Sequence, residues 1–97
     1  MRGEYKVVGG KLVAVELSVE NDRLAGVSVS GDFFLEPDDA LEDIDAALDG
    51  MPADASVEQL AHAIEGALDP AVRLIGFTPE AVGIAVRRAL GLSLIHI

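Results

Sequence analysis

The sequence has 97 residues, no cysteine and a formal net charge of −10. An apolar fraction of 51% excludes a disordered chain, and the missing thiols exclude disulfides and cysteine-ligated zinc or iron–sulfur sites. An acidic surface repels phosphate backbones, so we expect no nucleic-acid binding. No apolar run approaches the roughly 20 residues that cross a bilayer, and residues 1–5 lack the apolar core of a signal peptide, so we expect a soluble cytoplasmic protein with no membrane contact.

The acidic residues are concentrated in the middle of the sequence. Residues 24–72 include twelve acids and no lysine or arginine. A solvated helix face explains such a run, and adaptation to high salt, where these charges would be screened, is an alternative.

The first strands are predicted from alternating apolar and polar residues. Residues 5–8 predict a short strand, and Gly9-Gly10 predicts a two-residue hairpin turn. Residues 11–20 then predict a returning strand with one apolar face. We expect that face to carry Val13, Val15, Leu17 and Val19.

A third strand is predicted to follow a second tight turn. Asn21 and Asp22 tolerate the left-handed backbone that such a turn needs. Residues 24–30 then alternate again, which completes a three-stranded antiparallel meander. The core-facing residues of this strand are predicted to be Ala25, Val27 and Val29.

Two helices are predicted next. The first is expected to have Pro37 in its first turn and to end at Gly50, with an apolar stripe of Leu41, Ile44 and Leu48. The second opens with a capping box between Ser56 and Gln59 and ends before Pro70. Its buried face is predicted to comprise Val57, Leu60, Ala61, Ile64 and Leu68.

A third helix is predicted from Thr78, whose hydroxyl would cap it, to a stop at Gly91. Gly83 weakens this helix by about 1 kcal/mol relative to alanine. Periodicity does not decide the structure of residues 72–77, which precede it. The predicted inner face comprises Val82, Val86, Ala89 and Leu90.

These elements predict an α+β fold in which three helices pack on one face of a three-stranded meander. We assign residues 1–91 to a single domain. The apolar residues 92–97 would be a terminal strand if they are structural, but they look like the translation of a sequencing adapter, and we favour the interpretation that they are not native.

No catalytic or metal-binding constellation is found in the sequence. His62 and His96 lack a partner at metal-ligand spacing. Paired carboxylates are explained by helix starts and solvated faces. Gly9, Gly10 and Lys11 could cradle a phosphate, but the strand that follows them favours a hairpin turn.

Two similar junctions stand out. Residues 31–37 and 76–80 each run from glycine through an aromatic residue to proline and an acid at a predicted helix start. The aromatic residues either staple the helices onto the sheet or form an exposed edge for a partner. Since neighbours in an extended segment point to opposite sides, one of Phe33 and Phe34 enters the core and the other needs a different environment.

Three stretches in this order carry a family resemblance: Lys6-Val7-Val8-Gly9-Gly10-Lys11-Leu12-Val13, Gly31-Asp32-Phe33-Phe34-Leu35 and Gly76-Phe77-Thr78-Pro79-Glu80. Together they resemble the C-terminal accessory domain of lipoate–protein ligases, over nearly the whole chain to about Leu90. Val8 departs from the family, which commonly has proline there. The resemblance implies an α+β fold similar to the iron–sulfur scaffold proteins.

The resemblance also implies a function. In such ligases a separate catalytic domain uses ATP and magnesium to make lipoyl-adenylate and transfers the lipoyl group to a lysine of an acceptor protein. The small domain is needed for the activation step. This chain is therefore expected to be an accessory subunit that is not catalytic alone and binds no cofactor or metal by itself, while ATP, magnesium and lipoate bind in the complex.

Site residues and partners follow from the same resemblance. Lys11, with Gly9 and Gly10, is expected to lie near the nucleotide or the lipoyl group. The expected partners are a catalytic ligase chain and acceptor proteins of 2-oxoacid dehydrogenase or glycine cleavage systems. The expected partner interface comprises Gly31, Asp32, Phe33, Phe34, Phe77 and Thr78.

The sequence leaves two other function classes as alternatives. An iron–sulfur carrier would suit the fold, but the missing cysteines argue strongly against it. A non-catalytic homo-oligomerising or protein-interaction domain, which uses the aromatic edge on a second copy, suits the composition equally well.

Overall fold

The structure is a computed structural model that describes residues 1–95, with side chains described through Gly91. It has the predicted α+β order of a three-stranded antiparallel sheet followed by helices, together with two short strands. The elements are β1 (Arg2–Lys6), β2 (Leu12–Glu20), β3 (Arg23–Gly31), β4 (Phe34–Glu36), α1 (Ala40–Leu48), α2 (Val57–Ala67), β5 (Arg73–Ile75) and α3 (Pro79–Ile95).

The first turn is longer than predicted. β1 ends at Lys6, which pairs with Leu12, so residues 7–11 form the turn instead of Gly9-Gly10 alone. The Gly10 amide donates to the Val7 carbonyl over 2.8 Å, and only Gly9 has a positive φ, of 71°. A two-residue type I′ turn needs positive φ at both central residues, and this backbone provides it at one.

A β-bulge changes which residues of β3 face the core. Glu16 pairs with Ser28, but Ser18 pairs with Ala25, so β3 has one extra residue opposite Leu17. Gly26 supplies the left-handed conformation, with a φ of 58°. Consequently Leu24 is buried in the core, and the prediction that Ala25 lies on the core face is wrong.

The first helix starts later than predicted. The strand β4 continues to Glu36, the Glu36–Pro37 peptide is cis, and Asp39 is the N-cap of α1. Pro37 therefore lies in the preceding turn, where its carbonyl accepts from the Ala40 amide over 3.1 Å. The predicted stripe is otherwise present, since Ile44 and Leu48 are buried and Leu41 packs against the core.

Both later N-caps are confirmed. Ser56 Oγ accepts from the Gln59 amide over 3.1 Å, and Gln59 Oε1 accepts from the Ser56 amide over 2.9 Å. At the start of α3, Thr78 Oγ1 accepts from the Ala81 amide over 3.1 Å. Four predicted apolar residues of α3 are buried: Val82, Val86, Ala89 and Leu90.

The predicted helix stop at Gly91 is wrong, because α3 continues through Gly91 to Ile95. A glycine stops a helix when it adopts the left-handed conformation, and Gly91 is not among the residues with positive φ. Residues 92–95 are therefore helical and not a strand, while residues 96 and 97 lie outside the described part. Whether residues 92–97 are native stays a prediction.

The helices cover one face of the three-stranded sheet. α3 packs on β1 and β2, and α1 packs on β3. The closest approach is at Gly3 of β1, where a Cβ would collide with the backbone of Ala85 and Ala89. Gly83 likewise allows α3 to approach α2 closely, since a Cβ there would lie 3.0 Å from the Val57 carbonyl oxygen of α2.

Side chains bond to both outer edges of the sheet. On β3, the amides of Val29 and Val27 donate to the carboxylates of Asp45 and Asp49 over 2.9 and 3.4 Å. On β1, the Glu4 carbonyl accepts from Arg88 Nη1 over 3.1 Å. Within residues 1–95, no helix is both long enough and apolar enough to cross a membrane.

Candidate functional site

Three distant stretches of the sequence meet at one corner of the fold. The Lys11 amide donates to the Gly76 carbonyl over 2.9 Å, which joins the first turn to the end of β5. The Asp32 amide donates to the Leu12 carbonyl over 3.2 Å, which joins the segment after β3 to the same hairpin. We call residues 7–11, 31–34 and 76–78 the three-loop corner, and it contains parts of all three stretches that carry the family resemblance.

Two glycines allow this close approach. A Cβ at Gly31 would collide with the Leu12 carbonyl oxygen and lie 2.9 Å from the Phe33 ring. A Cβ at Gly76 would lie 2.5 Å from Cγ of Lys11, and Gly76 has a φ of 92°, which other residues rarely adopt. The corner therefore depends on glycine at these two positions.

The two adjacent phenylalanines have different environments. The ring of Phe33 stacks on Phe77 with centroids 4.0 Å apart and an interplanar angle of 28°. Phe77 is buried, whereas the side chain of Phe34 is 64% exposed. Phe33 and Phe77 therefore pack against each other at the corner, while Phe34 faces solvent. Whether Phe34 contacts a partner stays a prediction.

The connector that periodicity left undecided is the strand β5, which pairs with β4. In this ribbon Phe34 lies opposite Ile75, Leu35 opposite Leu74 and Glu36 opposite Arg73. Leu35 is buried under the ribbon, while Phe34 and Ile75 lie on its outer face. Arg73 and Glu36 continue that face with an exposed ion pair of 3.7 Å.

The exposed apolar residues gather near this corner. Among the described residues, the large exposed hydrophobic side chains are Val8 (93% exposed), Phe34, Ile75 and Met1, and the first three belong to the corner or its ribbon. A shallow cleft of about 250 Å³ lies beside Phe34, between residues 30–35 and the start of α1. This corner therefore offers an apolar projection and a small recess.

The turn of Gly9, Gly10 and Lys11 is not an open cradle of amides. The amides of Gly10 and Lys11 are already bonded, to the carbonyls of Val7 and Gly76. Of residues 7–11, the turn therefore leaves the amides of Val8 and Gly9, together with the Lys11 side chain, for an anion. Whether these residues lie near a substrate stays a prediction.

The positive charges differ in how they are bonded. Each arginine bonds to a carboxylate or a backbone carbonyl within the protein. In residues 1–95, the side chains of Lys6 and Lys11 have no hydrogen bond or ion pair. Both lie on the hairpin that leads into the corner.

Two other kinds of site are relevant in the described residues, a metal site and a larger concavity. Within the described part of the chain, no group of three or more histidine, cysteine or acidic side chains could hold a metal ion. A larger concavity of about 650 Å³ lies at the opposite end of β2, beside the turn of Asn21 and Asp22. Its two arginines, Arg23 and Arg87, donate to the carbonyls of Gly50 and Ala53.

Sequence reasoning missed Ile75 and the relation between Gly76 and Lys11. Ile75 belongs to a strand of only three residues, which is too short for a period to be recognised. The glycine that precedes Phe77 was visible as part of the motif, but its contact joins residues that are 65 positions apart.

Comparison with known proteins gives one solved structure of similar fold. No family model matches the sequence, and no curated protein matches it. The similar chain belongs to the structure of an archaeal lipoylation system from Thermoplasma acidophilum, a bi-partite lipoate protein ligase and its E2 lipoyl domain. The two chains are 25% identical with a TM-score of 0.72, and the alignment covers 90% of this chain and 93% of that one. The fold is therefore that of a component of a lipoylation system.

Proposed function

We propose that this protein is the accessory subunit of a two-chain lipoate–protein ligase. It would act with a separate catalytic chain in the ATP-dependent activation of lipoate to lipoyl-adenylate, before transfer to a lysine of an acceptor protein. The supporting observation is the similarity, over 90% of the chain, to a chain from a lipoylation system that comprises a bi-partite ligase and its E2 lipoyl domain. The meeting of the three resemblance stretches at one corner supports the same proposal.

The chain supplies shape and charge in this proposal. Phe34 is the central contact for the catalytic chain, because it is large, apolar and exposed at the corner. Gly31, Asp32, Phe33, Phe77 and Thr78 hold the backbone that presents it. Lys11, with Gly9 and Gly10, lies near the nucleotide or the lipoyl group in the complex.

The complex would bind the ligands that the free chain does not. ATP, magnesium and lipoate belong to the site of the catalytic chain. The acceptors would be lipoyl proteins of 2-oxoacid dehydrogenase or glycine cleavage systems, and the reaction would take place in the cytoplasm.

The test has two steps. A tagged wild-type protein should retain a catalytic ligase chain in a pull-down, and its addition should increase lipoyl-adenylate formation, measured by ATP-dependent release of pyrophosphate. Equal activity with and without the protein would overturn the proposal. Because the related system also contains a lipoyl domain, the intact mass of this chain should be measured after the reaction, and it should be unchanged.

A second candidate is a homo-oligomerising domain, which the exposed side chains of Phe34 and Val8 favour. The net charge of −10 opposes it, since two copies repel each other. Sedimentation of the isolated protein distinguishes the candidates, because a tight homodimer without affinity for a ligase chain would support this one.

A further inference from the structure

We propose that Gly76 positions Lys11, so that binding of the catalytic chain places one oriented ammonium group beside an anionic group, a phosphate or a carboxylate, held by that chain. This inference rests on the proposed function and adds how Lys11 is positioned and the chemistry by which it would assist activation.

Lys11 is one of two positively charged side chains that form no hydrogen bond or ion pair within the described residues. All five arginines are bonded internally, whereas the ammonium groups of Lys6 and Lys11 have no partner within residues 1–95. In a chain with a net charge of −10, acids are abundant and could have neutralised a lysine. An unpaired ammonium at the proposed contact surface is therefore available to an external anion.

Lys11 differs from Lys6 because its stem is held. Its amide donates to the Gly76 carbonyl over 2.9 Å, and its own carbonyl accepts from the Val7 amide over 3.1 Å. The space that a side chain at residue 76 would fill is occupied by the methylenes of Lys11, with Cγ 2.5 Å from the position of such a Cβ. A lysine whose stem is restricted loses less rotamer freedom when its charge is engaged.

The location of Lys11 adds a physical reason for its effect. Gly76 directly follows Ile75, which lies opposite Phe34 in the β4–β5 ribbon. A partner that covers Phe34 also removes water from the neighbourhood of Lys11. A charge interaction there is stronger than it would be on the free surface, because the effective dielectric constant is lower.

The positioning step can be tested on the isolated protein. NMR relaxation of the lysine ¹³Cε groups should show slower and more restricted motion for Lys11 than for Lys6. Substitution Gly76→Ala should abolish that difference, while far-UV circular dichroism reports whether the fold is retained. Equal mobility of the two lysines in the wild-type protein would overturn the inference, whatever the protein does with a ligase.

The charge step is tested in the complex with the catalytic chain. Lys11→Met keeps an apolar stem but removes the charge, and it should reduce stimulated adenylate formation roughly 10- to 100-fold, as expected for a charge-assisted hydrogen bond. Lys6→Met removes the same charge from the same hairpin and should leave stimulation within about twofold, since Lys11 and not Lys6 fills the space beside Gly76. Lys11→Arg keeps the positive charge and should retain most of the stimulated adenylate formation.

Varying each substrate separates the two possible anions. A Lys11→Met effect that appears mainly in KM for ATP indicates a phosphate, and one in KM for lipoate indicates a carboxylate. Pull-down should show that Lys11→Met still binds the catalytic chain. Equal effects of Lys6→Met and Lys11→Met would overturn the inference while leaving the proposed function intact, whereas a wild-type protein without stimulation would contradict the proposed function.

Discussion

The Val29 amide donates a hydrogen bond of 2.9 Å to the carboxylate of Asp45, which ties helix α1 to the outer edge of β3. Burial raises the pKa of Asp45 above its ordinary value, and the charges of Asp49 and Glu42 raise it further, while the bond from Val29 acts in the opposite direction. The stabilising contribution of this group is therefore full below its unfolded pKa of 3.8 and is lost as pH rises through the higher folded value.

Because the raised pKa means that the folded protein disfavours the charged form of Asp45, we expect Asp45→Asn to stabilise the protein at pH 7. The amide oxygen can still accept from Val29, and the cost of a partly buried charge disappears, for a gain of roughly 0.5 kcal/mol. The gain should vanish near pH 3.5. Urea unfolding at both pH values checks this, with the exposed Asp43→Asn on the same helix as the control, and a less stable Asp45→Asn protein at pH 7 would contradict it.

Single substitutions of the two phenylalanines should have separate effects. Phe33→Ala removes the stack on Phe77 and part of the core, so we expect a loss of about 2 kcal/mol in the free energy of unfolding, less than the roughly 3–5 kcal/mol of a fully buried ring. Phe34→Ala should change stability by no more than about 0.5 kcal/mol.

Binding to the catalytic ligase chain should show the reverse order. Phe34→Ala is expected to weaken it at least about tenfold, the scale of an interface hot spot. Urea unfolding and a binding isotherm on each variant give both quantities. If both variants only unfold the protein, the segment is a core junction and not a contact surface.

Proline at residue 8 should stabilise the first turn. Val8 is the second residue of a turn closed by the bond from the Gly10 amide to the Val7 carbonyl, and the third residue, Gly9, has positive φ, which is typical of a type II turn. The Val8 amide donates no bond within residues 1–95. We therefore expect Val8→Pro to add about 0.4–1 kcal/mol, measured by thermal unfolding.

A control at the same turn shows whether the effect is specific. Gly10→Pro removes the amide that closes the turn, so this variant should be less stable than the wild type. An equal response of Tm to both substitutions would show that the turn does not have this geometry in solution.

Two glycines within helices should respond oppositely to alanine. A Cβ at Gly66 of α2 meets no atom within 4 Å, so Gly66→Ala should gain about 0.5–1 kcal/mol of helix stability. A Cβ at Gly83 of α3 would crowd the Val57 carbonyl at 3.0 Å, and overpacking of about 1–3 kcal/mol exceeds the gain in propensity. We expect a net loss of about 1 kcal/mol, and stabilisation by both substitutions in urea unfolding would show that α2 and α3 lie farther apart.

A chain that ends at Gly91 should fold as well as the full chain. Among the residues whose side chains are described, through Gly91, the buried residues of α3 include Val82, Val86, Ala89 and Leu90, and the shorter helix keeps all of them. The two proteins should have Tm values within a few degrees of each other. A large decrease would show that residues 92–97 are part of the native structure.

Local signals in the sequence determined much of this fold. The capping hydroxyls of Ser56 and Thr78 and the turn of Asn21 and Asp22 form where they were predicted, because each depends on neighbours within a few residues. The bulge at Gly26 was not predictable, since a glycine in a strand also fits an exposed position on the outer face. The pairing of β4 with β5 joins segments about 40 residues apart, and no local pattern encodes it.

The candidate site was predictable to a similar extent. The motifs identified three stretches that meet at one corner, but period alone could not show which phenylalanine faces solvent. That choice depends on Phe77, whose ring occupies the space beside Phe33. The exposure of Phe34 and Ile75 on the outer face of the β4–β5 ribbon is therefore a result of tertiary packing.

The bonds along the outer edges of the sheet matter most when the protein has no partner. Exposed strand edges recruit the strands of other copies, which leads to aggregation. Here Asp45 and Asp49 bond to the amides of β3, residues 50 and 51 pair with Leu24, and Arg88 bonds to β1. These bonds therefore leave fewer backbone groups of β1 and β3 open to a strand of another copy, which protects the chain before it meets a partner.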